Sequence, residues 1–191
     1  LLTYLYDTQM SSISQINSVK LYYSSDYMIL DSSTKRNLEL TETMRDGVKR
    51  GSLLWVLDRT KTAMGGRMLR SFIDTPLMDK TLINMRLDAI ESLNVNIISR
   101  DEMREYLNTI YDMERLMTRI SMKTANPRDL LSFKTSLRLL PHIKDLFKDF
   151  NGAIFSEMYQ RMDTLQDIYQ LLESSIDEDA PITISRRTES P

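Results

Sequence analysis

Few side chains in this sequence could perform chemistry, and they form no recognisable catalytic or metal-binding pattern. His142 is the only histidine, which excludes a site that needs several histidines, and we interpret it as a structural or exposed residue. The acidic run 177–179 is best interpreted as a solvated loop, because a calcium loop would need more oxygen ligands at regular spacing. Glu39 and Glu42 resemble a carboxylate pair, but their positions along an irregular segment give no distance between them. We therefore predict no catalytic, cofactor-binding or metal-binding residue.

The glycine pair Gly65 and Gly66 is the next candidate, since glycine-rich turns can hold phosphate groups. Its spacing differs from G-x-x-x-x-G-K-[ST], and no apolar strand precedes it, so we exclude a phosphate loop. Two interpretations remain open. The pair either gives flexibility at the start of a helix, or it allows close approach of another helix where a side chain would clash.

Candidates for surface recognition are equally sparse. Trp55 is the only tryptophan, and we interpret it as a packing anchor and not as a platform for base stacking, because no basic residues of a binding groove flank it in register. Lys35-Arg36 and Lys49-Arg50 could contact phosphates, but basic pairs this short are common on protein surfaces. Most of the 13 methionines lie on apolar helix faces, which favours core packing over an adaptable peptide-binding surface.

The glycine pair and the tryptophan lie in one segment, 52–76, which predicts a short helix, a polar break and a second helix. Thr62 is a suitable N-cap for the second helix, because its hydroxyl can accept a hydrogen bond from a first-turn N–H. Apolar residues then recur at helical spacing, and Arg70 and Asp74 form an i,i+4 ion pair. Pro76 biases the preceding residue away from helical geometry and ends the helix.

The chain before this segment is predicted to change from extended to helical structure. Alternating polar and apolar residues over 19–30, with turn formers at 24–26, predict a small β-hairpin near the N-terminus. Asp31 is a suitable cap for a short helix that ends near Leu40, and 45–51 is expected to form a loop.

The chain after Pro76 is predicted to be helical throughout. We predict N-caps at three polar residues: Asp79, Ser99 and Asn126. Pro141 should kink or split the helix that begins at Pro127, because its ring clashes with the carbonyl four residues earlier. Apolar residues at 158–176 recur at heptad-like spacing, which predicts packing in a bundle.

Composition sets the class of protein. The 191 residues are 41% apolar and include only five glycines and five prolines, which favours long helices in one large or two small domains. A net charge of −2 from well-mixed residues gives no strong field for nucleic acid. No apolar run is long enough to span a membrane. The chain begins at Leu1 and not at Met, so we expect it to be part of a longer protein.

Several long motifs resemble the core domain of the MutS family of DNA mismatch repair proteins. The resemblance covers nearly all of 1–185 in one order. It rests on LLTYLYDTQ (1–9), LDSSTKRNLELTET (30–43), SLLWVLDRTKTAMGGRMLR (52–70), PLMDKTLINMRLDAIESL (76–93), DMERLMTRI (112–120), ANPRDL (125–130) and EDAPITIS (178–185).

This resemblance implies a mainly α fold, an irregular helical bundle like the MutS core domain, with the small hairpin near its N-terminus. It implies that residues 1–15 are the end of the connector domain and 16–185 the N-terminal part of the core and lever domain. The tail 186–191 departs from the family pattern, and we expect it to be disordered or an artificial end.

The family implies a mechanism as well. MutS proteins are dimers that encircle mismatched duplex DNA and use ATP and Mg to become a sliding clamp that recruits a MutL-type partner. This chain lacks the family's Phe-x-Glu mismatch reader, clamp and Walker-type ATPase, so it is expected to have no catalytic site and no cofactor of its own. Its expected role is to couple the DNA-binding clamp and mismatch reader to the ATPase, in contact with other MutS domains and a second subunit. The expected location is the bacterial cytoplasm, on DNA and not at a membrane.

Two other hypotheses remain. The chain could be a stand-alone helical scaffold whose methionine-rich faces bind partner helices. An enzyme in its own right is the weakest hypothesis, because no nucleophile–base pair or metal site can be drawn from the sequence. The wide apolar faces of the helices at 82–93 and 158–176 also predict self-association or partial fraying of the isolated chain.

Overall fold

The computed structural model describes residues 27–177, together with Tyr4 and Thr8. Tyr4 and Thr8 are helical, and the Thr8 hydroxyl donates to the Tyr4 carbonyl at 2.7 Å. The other residues before Tyr27, which include the first strand and turn of the predicted hairpin, lie outside the described residues, as does the predicted tail. The described part of the chain is mainly helical, as predicted.

The first region, 27–77, contains three helices joined by polar loops. They are α1 (Ser32–Asn37), α2 (Leu53–Leu57) and α3 (Ala63–Asp74). Tyr27 forms an isolated antiparallel bridge with Leu77, and the Met28 N–H donates to the Pro76 carbonyl at 2.8 Å. These contacts join the two ends of the region. Within 27–177 this bridge is the only β pairing.

The second region is a helical bundle that follows Leu77. It contains α4 (Lys80–Val95), α5 (Ile97–Thr109), α6 (Met113–Ser121), α7 (Pro127–Leu146), a 3₁₀ turn (Phe147–Asp149), α8 (Ala153–Arg161) and α9 (Gln166–Ser175). The long helix α7 packs against α5, α6, α8 and α9 and forms the centre of the bundle.

Two apolar clusters lie along α7. The cluster at its C-terminal end joins α4, α5 and α8 through Ala89, Met103, Ile143, Leu146, Phe150 and Phe155. The cluster at its N-terminal half joins α6 and α9 through Leu116, Phe133, Leu137 and Leu140. Met162 packs against both clusters. Apolar burial therefore holds the bundle together along one helix.

Two buried serines fix the loops of the bundle to its helices. The Ser136 hydroxyl on α7 accepts from the Tyr111 N–H at 3.1 Å, in the loop between α5 and α6. The Ser92 hydroxyl on α4 accepts from the Asn151 N–H at 2.7 Å, ahead of α8. These bonds give the two loop N–H groups hydrogen-bond partners on the helices.

Most of the predicted helix starts are confirmed. The side chains of Asp31, Thr62, Asp79 and Asn126 each accept a first-turn backbone N–H. At Asn126 the cap is reciprocal, because the Asp129 carboxylate accepts from the Asn126 N–H at 3.0 Å.

The prediction that Ser99 caps a helix is wrong. Helix α5 begins at Ile97 with Asn96 at the cap position, so Ser99 lies inside the first turn. The Ser99 hydroxyl donates to the Asp149 carboxylate at 2.7 Å, which joins α5 to the 3₁₀ turn. A long-range partner has replaced the local capping bond that serine favours.

Helix α7 is not split at Pro141 but runs unbroken from Pro127 to Leu146. Proline inside a helix costs about 3 kcal/mol. Leu140, Ile143 and Leu146 are buried on either side of it, and their packing offsets that cost. By contrast, the heptad-like run 158–176 is divided between α8 and α9, because Leu165 has a left-handed backbone with φ of 50°.

Candidate functional site

The segment 52–76 forms a helix, a break and a second helix, as predicted. Ser52 is fully buried and is the N-cap of α2. Its hydroxyl donates to the Lys49 carbonyl at 2.7 Å and accepts from the Trp55 N–H at 3.3 Å. The Leu54 N–H donates to the Leu40 carbonyl at 2.9 Å, and these two leucines are the buried apolar residues of the first region.

Asp58 organises the break between α2 and α3. Its carboxylate accepts from the Thr60 hydroxyl at 2.7 Å and from the Thr60 N–H at 3.2 Å, and it forms an ion pair with Lys49. The Lys49 ammonium and then the Thr60 hydroxyl lower the pKa of Asp58 from 3.8 to about 2. The carboxylate is therefore ionised at neutral pH and holds the break in one conformation.

The glycine pair packs against this break and not against another helix. A Cβ atom on Gly65 would lie 3.1 Å from the Thr62 hydroxyl oxygen, and one on Gly66 would lie 3.4 Å from the Thr60 hydroxyl oxygen. The close approach that we considered from the sequence is present at Gly65, but the neighbour is the turn that precedes α3 and not another helix. At Gly66 a Cβ atom would make an ordinary contact. The glycine at 65 allows this turn to fold back over the start of its own helix.

Arg67 connects α3 to the start of α6 in the bundle. Its Nη1 and Nη2 atoms donate to the two carboxylate oxygens of Asp112 at 2.8 and 2.7 Å, a bidentate geometry. Its Nε atom donates to the Glu114 carboxylate at 3.0 Å, and a second contact from Nη2 reaches the same oxygen. We call this arrangement of Arg67, Asp112 and Glu114 the charged joint.

Asp112 has two roles in the charged joint. It is the N-cap of α6, where its side chain accepts from the Arg115 N–H at 3.3 Å, and it also binds Arg67. The Arg67 guanidinium lowers the pKa of Asp112, and the two carboxylates raise the pKa of Arg67. A movement of α3 would therefore be felt directly at the first turn of α6.

Further charges connect α3 to the rest of the first region. Asp74 pairs with Lys35 of α1 at 3.3 Å and with Arg70 at 3.7 Å, which confirms the predicted Arg70–Asp74 pair. Arg70 also reaches Glu42 at 3.4 Å. On the bundle side, the Arg86 guanidinium of α4 lies 3.8 Å from the centre of the Phe72 ring. The charged joint and this cation–π contact both connect the first region to the bundle.

The remaining sequence candidates are dispersed. His142 is exposed and stacks on Tyr106 with 5.6 Å between ring centres. Glu39 accepts from the Met44 N–H at 2.7 Å, whereas Glu42 pairs with Arg70, so the two carboxylates have separate partners. In the part of the chain described here, no group of acidic residues and histidine is arranged to hold a metal ion.

The interpretation of Trp55 as a packing anchor is wrong for this chain, because its side chain is 47% exposed. The acidic run 177–179 is described only at Asp177.

Between 27 and 177, no helix has both the length and the hydropathy needed to cross a bilayer. The bundle has an open groove of about 480 Å³, lined by Phe147, Ile154, Glu157, Met158, Arg161 and Met162.

The charged joint could not be predicted from the sequence. Arg67 is 45 positions from Asp112, and no local pattern pairs residues at that separation. The only signal was the two acidic residues at the start of α6, which a helix N-terminus already favours.

The comparisons with known proteins agree with the resemblance. The family model for MutS domain III matches residues 33–190. The chain is 55% identical over 184 residues to the DNA mismatch repair protein MutS of Lachnoclostridium phytofermentans, covering 96% of this chain and 20% of that protein. It is 47% identical to MutS of Alkaliphilus oremlandii and 45% identical to MutS of Clostridium tetani, in each case covering 96% of this chain and 21% of the relative. The chain spans about a fifth of the length of these relatives. It therefore belongs to the MutS family of DNA mismatch repair proteins, within which it corresponds to domain III.

Proposed function

We propose that this domain is the core and lever segment of a DNA mismatch-recognition ATPase and that it couples the DNA-binding clamp and mismatch reader to the ATPase. Its relatives are named as DNA mismatch repair proteins and are about five times longer than the chain. The mismatch reader, the clamp and the site for ATP and Mg would then lie in other domains, and this domain would have no catalytic site or cofactor. Its partners would be mismatched duplex DNA through the longer protein, other MutS domains, a second subunit and a MutL-type protein, in the bacterial cytoplasm.

The charged joint supports the coupling role. Arg67 lies on α3 of the first region, whereas Asp112 and Glu114 lie at the start of α6 in the bundle. A bidentate ion pair has a defined geometry, so it is either formed or broken when two packed regions change their relative position. A single side chain can thus bias which of two arrangements the domain adopts.

The test uses a full-length MutS protein that carries this chain as its domain III. Arg67→Ala should leave mismatch binding and the basal rate of ATP hydrolysis nearly unchanged. It should reduce the change in ATP turnover caused by mismatched DNA by about fivefold, at the low end of typical coupling energies. Mismatch binding is measured by fluorescence anisotropy, and ATP turnover with and without mismatched duplex.

Arg115→Ala is the matched control, because Arg115 contacts Asp112 at 3.4 Å but is 80% exposed and lies on α6 itself. This variant should retain the response to mismatched DNA. An unchanged response in a correctly folded Arg67→Ala protein, with circular dichroism matching the unsubstituted protein, would contradict the coupling role of the charged joint.

A further inference from the structure

Four of the five apolar residues of helix α2 are about half exposed. Leu53, Trp55, Val56 and Leu57 are each between 43% and 55% exposed, and only Leu54, at 3%, is buried. A helix of five residues that buries one of them gains little from packing within this chain. Exposed groups of large apolar side chains are typical of surfaces that bind other proteins.

The segments that flank this apolar helix carry an excess of positive charge. Residues 45–61 contain five basic and two acidic side chains, a net charge of +3, in a chain whose net charge is −2. Lys49 pairs with Asp58. The other four basic residues are exposed and form no ion pair with any residue that the structure describes: Arg45, Arg50, Arg59 and Lys61.

The charges and the apolar residues are close together. Helix α2 is about 7.5 Å long at 1.5 Å per residue. Arg50 precedes it by three positions, and Arg59 follows its last residue by two. The Lys49–Asp58 pair holds the two flanking segments next to each other. We call α2 and these flanking residues, 45–61, the α2 surface.

We propose that the α2 surface is a docking site for a protein partner whose apolar ridge is bordered by carboxylates. Tryptophan and arginine are the residues that most often dominate binding energy at protein interfaces, and the α2 surface presents both around an apolar centre. Carboxylates at the edge of the partner complement the four basic side chains and set its orientation.

A protein partner fits this surface better than nucleic acid does. Leu53, Val56 and Leu57 offer aliphatic area that gains free energy only against another apolar surface. A phosphate backbone would satisfy the basic residues but would leave these three side chains in water. The docking site does not depend on the coupling role, because it lies on α2 and not at the charged joint.

Trp55 makes the proposal measurable, because it is the only tryptophan in the chain and lies within the α2 surface. Two helical peptides are compared that share one apolar stripe and differ only in a border of Glu or Lys. The Glu-bordered peptide should shift Trp55 emission to shorter wavelength and bind about tenfold more tightly than the Lys-bordered peptide. No response of Trp55 to the Glu-bordered peptide, or equal binding of both peptides, would overturn the proposal.

Charge reversal in the protein, instead of in the peptide, tests the same preference for carboxylates. Arg59→Glu/Lys61→Glu should invert the preference, so that the Lys-bordered peptide binds more tightly. The control Lys80→Glu/Arg128→Glu reverses two exposed charges in the first turns of α4 and α7, where Glu is compatible with the helix, and it should keep the original preference. A short duplex DNA that shifts Trp55 emission at lower concentration than the Glu-bordered peptide would also overturn the proposal, in favour of nucleic acid.

Discussion

The two regions of this domain are stabilised by different physical interactions. The first region, 27–77, buries Leu40 and Leu54 and is held mainly by capping side chains and ion pairs around α3. The bundle from α4 to α9 buries ten apolar residues in two clusters along α7. The bundle should therefore respond to the loss of apolar volume, and the first region to changes in charge and pH. A region held by polar contacts can change its conformation at lower cost than a close-packed core.

The largest expected effect is the loss of apolar volume in the bundle. Leu137 on α7 has no exposed surface, so Leu137→Ala should lower the free energy of unfolding by about 3 kcal/mol through lost burial and a residual cavity. Urea unfolding followed by circular dichroism measures this change. Leu171→Ala, at a position 63% exposed on α9, is the control and should change stability by less than about 0.5 kcal/mol.

The same experiment tests whether the two regions unfold separately. In Leu54→Ala the buried leucine of α2 is lost, and Trp55 emission should report unfolding of the first region at a lower urea concentration than the circular dichroism of the bundle. If both signals move together in both variants, the two regions unfold as one unit, and the distinction between them is wrong.

The next prediction concerns the contribution of a helix cap to the stability of the bundle. Asn126→Ala removes the reciprocal cap of α7, the helix on which both clusters depend. We expect a loss of between about 1 and 2 kcal/mol in the urea experiment. Asn94→Ala, at an exposed position on α4, should have little effect. An equal loss in both variants would mean that the cap itself contributes nothing.

The structural features that the sequence predicted correctly are those that depend on residues close together in the chain. The helix–break–helix at 52–76 and the caps at Thr62 and Asn126 were predictable because each depends on neighbours within four positions. The unbroken helix at Pro141 was not, because the packing that tolerates it comes from distant helices. The same reason hid the charged joint, in which Arg67 reaches across 45 positions to Asp112.

The prediction that Trp55 is a packing anchor was wrong for a related reason. An apolar pattern predicts which residues prefer to be buried, but it does not say what covers them. The sequence placed Trp55 in an apolar helix correctly, whereas its exposure depends on the whole surface around α2.

A smaller effect, of about 1 kcal/mol, is expected from acid acting on the first region. The pKa of Asp58 is lowered from 3.8 to about 2 in the folded chain. Its contribution to stability is therefore complete above about pH 4 and is lost as the pH falls towards 2. Trp55 emission over this range should show a transition that is absent in Asp58→Asn.

Asp88→Asn, which alters an exposed carboxylate on α4, is the control and should retain the acid transition of Trp55. An identical pH profile for Asp58→Asn and the unsubstituted chain would show that the break is not held by this carboxylate. In that case the first region would depend on its two leucines, as the bundle depends on its clusters.

The smallest expected effect is a difference in stability between alanine substitutions at two neighbouring glycines in α3. Alanine is favoured over glycine in helices by up to about 1 kcal/mol, and less near the first turn. A Cβ on Gly66 would be in ordinary contact at 3.4 Å with the Thr60 hydroxyl oxygen, so Gly66→Ala should stabilise the first region by about 0.5 kcal/mol. A Cβ on Gly65 would lie 3.1 Å from the Thr62 hydroxyl oxygen, which accepts the Gly65 N–H as the cap of α3. Gly65→Ala should therefore give no gain, because the added methyl group displaces the cap. Urea unfolding followed by Trp55 emission measures both variants, and an equal gain in the two would mean that flexibility, and not the folded-back turn, explains the glycine pair.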